Sequence, residues 1–132
     1  MNIRILLPDG WPRPRGYANG VSARGRQVYV AGQIGWNERG ELAGADLVTQ
    51  ARQALRNIVT ILATDGARAE HLVRLTWYVV NRQAYLDSAS ALGEAYRDVI
   101  GSHYPAMSAV EVSALMEPGA LVEIEATAVV PE

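Results

Sequence analysis

Three glutamates near the C-terminus are the first candidates for chemistry: Glu111 in "HYPAMSAVEVSAL", and Glu123 and Glu125 in "ALVEIEATAVV". A carboxylate within hydrogen-bond reach of a water can orient it or shuttle a proton. Other reactive groups are scarce. The 132 residues hold no cysteine, which removes thiolate chemistry, disulfides and cysteine-held metal. His71 and His103 are far apart and at no metal-ligand spacing. No Ser-His-Asp grouping or phosphate-cradling glycine loop stands out. Met107 follows Pro105 at the mouth of an alternating run, where a polar group is expected if the segment lines a site.

The elements that position these residues can be read from periodicity. The first 16 residues, with Pro8, Pro12 and Pro14, read as an irregular arm leading to an extended stretch from Tyr17 to Ser22. "RGRQ" (24–27) reads as a turn, and "VYVAGQIGW" (28–36) as a strand. Gly32 and Gly35 inside it mark a bulge or a close approach to the backbone. Asp46 N-caps a helix with Leu47, Ala51, Ala54, Leu55, Ile58, Val59 and Leu62 on one face, and Gly66 stops it. "HLVRLTWYVV" (71–80) reads as a central strand with Trp77 in the core, and residues 85–101 as one amphipathic helix. Two strands follow, 106–113 and 120–130, and Pro118-Gly119 between them suggests a hairpin. The last strand puts Val122, Ile124, Ala126 and Ala128 on one face and Glu123, Glu125 and Thr127 on the other. Ala109 and Glu111 are expected beside these glutamates, on a face left free by both helices. The pattern ββαβαββ predicts a single two-layer α+β domain, 1–132, with both helices on one face of the sheet.

The formal charge of −2 and pI near 5.7 argue against nucleic acid, since phosphate binding needs clustered Lys and Arg. No apolar run reaches the roughly 18 residues of a membrane span, and the N-terminus lacks a signal-peptide pattern. A cytoplasmic location is the expectation.

The segments "GYANG", "VYVAGQIG", "QARQALRNI", "YPAMSAVEVSAL" and "VEIEATAVV" together resemble the reactive intermediate deaminase family, also called RidA or YjgF-like, over about Tyr17 to Val130. The resemblance implies a chorismate-mutase-like mixed sheet and a homotrimer whose sheets form a central barrel, with clefts between subunits. It also implies hydrolysis of small-molecule enamines and imines to keto compounds and ammonia, with no metal or organic cofactor. Carried over position by position, the family's carboxylate-gripping Arg in "P-A-R-S" falls at Met107, followed by Ser108. Its water-orienting Glu falls at Glu123 and its N-terminal Tyr at Tyr17. Its Ser-Gly-Gln falls at Ala31, Gly32 and Gln33, so the Ser hydroxyl is also missing.

Met107 changes what such a site accepts. Arg matches a carboxylate with a planar, charged fork; Met has neither donor nor charge. Losing a buried partner of this kind costs about 2–5 kcal/mol. Small free imino acids are therefore expected to be poor substrates. Met supplies a flexible apolar wall, and Trp36 is expected to add a flat surface, with Gly35 replacing a bulkier residue. Arg13, Arg15 or Arg24 could reach an anionic group at the rim. The expected site is catalytic Glu123 with Tyr17, Ala31, Gly32, Trp36, Met107 and Ser108 around substrate. The alternative is a non-catalytic trimeric small-molecule-binding protein of the same fold.

Overall fold

A computed structural model describes residues 3–132 as an α+β fold. Its strands are β1 (Ile3–Leu6), β2 (Gly20–Ala23), β3 (Arg26–Gln33), β4 (Leu72–Val79), β5 (Ala106–Glu111) and β6 (Val122–Val130). The α-helices are α1 (Leu47–Ala63), α2 (Arg82–Asp87) and α3 (Ala89–Val99). A mixed four-stranded sheet has the order β3-β6-β4-β5, and β1 and β2 form a separate antiparallel pair. The arm is therefore not irregular throughout: Ile3–Leu6 satisfies its backbone by pairing with Gly20–Ala23. Met1 and Asn2 of that arm lie outside the described residues.

The last two strands do not form a hairpin. β4 lies between them, antiparallel to β6 and parallel to β5. The connection from β4 to β5 runs through α2 and α3, the crossover that a parallel pair requires. The register also corrects the faces of β5. Met107, Ala109 and Glu111 sit beside Leu75, Trp77 and Val79, on the helix side of the sheet. Ser108 and Val110 lie beside Thr76 and Tyr78, on the other side with Glu123 and Glu125.

α1 follows its sequence pattern. Asp46 accepts the Thr49 N–H at 3.0 Å, and Leu47, Ala51, Ala54, Leu55, Ile58 and Leu62 are buried. Gly66 ends the turn at φ 74°, while Ala67 N–H donates to Leu62 O at 3.0 Å. The 85–101 segment is two helices, broken at Ser88 (φ −97°, ψ 10°). Leu92 and Tyr96 of α3 join α1 and the inner face of β6, including Val122 and Ile124, in one core. Among the described residues, no helix is long and apolar enough to cross a membrane.

Polar residues of α1 fix the loops around the sheet. Gln50 is fully buried, donates to Gly44 O (2.9 Å) and Gly119 O (3.0 Å), and accepts from Leu121 N–H (2.8 Å). Asn57 donates to Trp36 O at 2.9 Å and accepts from Gln53 at 2.8 Å. These bonds satisfy groups whose burial would otherwise be costly. They hold the end of β3 and the start of β6, where Glu123 sits.

Candidate functional site

A cavity of about 490 Å³ opens between β5 and helices α2 and α3. Tyr17, Met107 and Ser108 border it, together with Trp77, Tyr85 and Tyr96. Tyr17 is brought there by its neighbour: Ala18 N–H donates to Pro105 O at 2.9 Å, and Ala18 bridges Ala106 in parallel. Gly16, at φ 77°, makes the bend that lets the arm arrive from outside. Met107 is half-buried and lies against the core, so it supplies part of the apolar floor.

The aromatic walls are packed in pairs. Trp77 and Tyr85 meet edge to face, with centroids 6.3 Å apart. Tyr96 and Tyr104 stack at 5.2 Å, and the Tyr96 hydroxyl donates to His103 O at 2.6 Å. Burial raises the Tyr96 pKa, with a further contribution from Tyr104, and burial raises that of Tyr85. Both phenols are therefore neutral at physiological pH. His103 borders a second cavity of about 620 Å³, on the other side of Tyr17 beneath the arm. Its Nε2 lies 2.7 Å from Leu72 O. A carbonyl only accepts, so this nitrogen carries the proton and the ring braces the start of β4.

Glu123, Gly32 and Ala31 form a second cluster, on the helix-free side of the sheet. The β3–β6 register shifts between Val30 and Gln33, so Gly32 lies in a bulge, as its sequence context suggests. A Cβ at Gly32 would lie 2.1 Å from Glu123 Oε2. The glycine is thus what allows the carboxylate to rest against β3. Tyr78 pairs with Glu123 in register, and its hydroxyl donates to the Glu125 carboxylate. That bond is the main cause of the raised Tyr78 pKa. Glu111 accepts the Arg82 N–H at 2.7 Å. Within the single chain, Glu125 and Glu111 are thus each held by a hydrogen bond.

A single chain does not bring all the expected site residues together. Met107 is on edge strand β5 and Gly32 on the opposite edge strand, β3. Three strand spacings separate these edges, roughly 14 Å. Met107 and Glu123 also face opposite sides of the sheet. Trp36 does not wall the Met107 cavity. It lies beyond the β3 bulge, bridged to Leu42 and held by Asn57. Gly35 has a packing role instead: a Cβ there would be 2.7 Å from both Cα and O of Gln50. Trp77, expected only as core, is 5% exposed yet borders the cavity. Arg97 also borders it; the α3 pattern located that helix but not what its exposed face would meet. Among the described residues, no group of three or more His, Asp or Glu comes together as a metal site.

The endoribonuclease L-PSP family model matches residues 12–130. A 2-iminobutanoate/2-iminopropanoate deaminase from Capra hircus is 35% identical, covering 79% of this chain and 73% of its own. A RutC family protein from Pyrococcus horikoshii is 32% identical, covering 94% of this chain and 95% of its own. The crystal structure of a conserved Rid family protein, YyfB from Yersinia pestis, has a TM-score of 0.87 and 36% identity, covering 98% of this chain and 100% of its own. RidA from the Antarctic bacterium Psychrobacter has a TM-score of 0.69 and 29% identity, covering 96% and 99% respectively.

Proposed function

The chain belongs to the endoribonuclease L-PSP (YjgF/RidA) family, and we propose that it is an enamine/imine deaminase. The observation that carries this reading is the joining of Tyr17 to the Pro105–Ser108 segment as one cavity wall, in a chain whose relatives include named iminobutanoate deaminases. The enamine tautomerises to an imine. Water adds to the imine carbon, and the C–N bond of the resulting carbinolamine breaks. A keto compound and ammonia leave. Glu123 holds the attacking water and passes its proton towards the departing nitrogen. Tyr17, Met107 and Ser108 position the carbon.

The two clusters form one cleft in a homotrimer, with the β5 wall of one subunit facing Ala31, Gly32 and Glu123 of the next. Trp36 contributes at the β3 side of that cleft. Met107 leaves a carboxylate next to the imine carbon without a charged partner, so the site favours larger substrates that are neutral at that position. The same substitution favours a second reading, a binding protein that holds such molecules without hydrolysing them.

The test is ammonia release from a matched pair of imines, one with a free carboxylate beside the reacting carbon and one with an ester in its place. Faster turnover of the ester, lost in Glu123→Gln with ligand affinity retained, supports the deaminase. No acceleration of either above the uncatalysed rate transfers the assignment to the binding protein.

A further inference from the structure

The Met107 cavity combines an apolar interior with two guanidinium groups. Arg15, from the arm, and Arg97, from the last turn of α3, both border it and are exposed. Neither has an ion-pair partner among the described residues; the nearby Asp98 is taken by Arg52 at 2.9 Å. No Asp or Glu borders the cavity. Five of the nine aromatic residues do: Tyr17, Trp77, Tyr85, Tyr96 and Tyr104.

The course of Arg97 is visible in Gly93, one turn earlier. Arg97 Nη1 lies 3.3 Å from where a Gly93 Cβ would be, and Gly93 borders the same cavity. Glycine inside a helix costs about 1 kcal/mol relative to alanine. Here the missing side chain leaves a lane along which the guanidinium folds back towards the opening.

We propose that this cavity recognises amphiphilic anions. The aromatic or aliphatic body lies against Trp77, Tyr85 and Met107, and the carboxylate is held at the opening by Arg15 and Arg97. The anionic group is thus several bonds from the buried end of the ligand, rather than beside it. This rests on the deaminase reading only for the identity of the natural ligand: there it specifies an enamine or imine with a remote carboxylate. The binding site itself stands without it.

Titration calorimetry with 4-phenylbutanoate and its neutral counterpart 4-phenylbutan-1-ol tests the proposal on the whole protein. The carboxylate is expected to bind about tenfold or more tightly at low salt, as charged hydrogen bonds imply. Raised ionic strength should narrow that ratio, because the arginines are exposed. In an Arg15→Gln/Arg97→Gln double variant, the two ligands should bind equally, with the alcohol's affinity unchanged. Equal binding to the unaltered protein, absence of binding by either ligand, or an undiminished preference in the double variant would overturn the proposal. Binding with the expected preference but no imine hydrolysis would leave it intact and overturn the deaminase reading alone.

Discussion

Glu123 keeps its position through a neighbour that has no side chain. At Gly32 a methyl group would occupy the space of the carboxylate, 2.1 Å from Oε2. Gly32→Ala is therefore expected to displace Glu123 and lower kcat about 10- to 100-fold, the scale of a misplacement near 1 Å. The thermal midpoint should move little, because Gly32 itself is exposed. Steady-state kinetics beside a melting curve separates the two effects. Met107→Arg tests the other wall. Turnover of imines with an adjacent carboxylate should rise by roughly 30-fold or more if the clamp is restored. Periodicity alone gives Glu123 and Met107 places on strands and marks Gly32 as a strand glycine; it is the family resemblance that singles them out as site residues. The paths of Arg97 and Gln50 are not legible in sequence, since both depend on what an otherwise ordinary helix meets in three dimensions.

Helix α1 is fixed at its start by a cap and along its length by close packing. Asp46→Ala removes the acceptor for Thr49 N–H and should cost about 1 kcal/mol near neutral pH. The Thr49 hydrogen bonds hold the Asp46 pKa below its ordinary value. The stabilisation is therefore present above the unfolded-state pKa and is lost as pH falls through the lower folded-state value. Denaturation of the two proteins at neutral and strongly acidic pH should show the difference shrinking. Gly35→Ala pushes a methyl into Gln50 and should destabilise by about 1–3 kcal/mol, measurable in urea. Most helices and strands could be read from periodicity to within a few residues, but β1, in an arm read as irregular, and the break between α2 and α3 at Ser88 could not. Nor could strand order. Pro118-Gly119 looks like the turn of a hairpin, but the crossover helices bring β5 alongside β4, and β6 pairs on β4's other edge. That partner choice is set by packing over long sequence separations, and it moves Ala109 and Glu111 to the opposite face.

At the scale of the whole molecule, the division of the expected residues between two edges makes assembly part of the functional question. Light scattering should report a trimer, and a stable monomer would separate Glu123 from the Met107 cavity for good. The sheet is also unevenly held. β4 and β6 each have neighbours on both sides, whereas β5 pairs in the sheet with β4 alone, through a parallel ladder. Such a strand opens at lower free energy than the centre of its sheet. Its amides should exchange with deuterium faster than those of β4 and β6, and a ligand touching both β5 and α3 should slow them. The wall that chooses the ligand would then be the part of the sheet whose motion the ligand itself arrests.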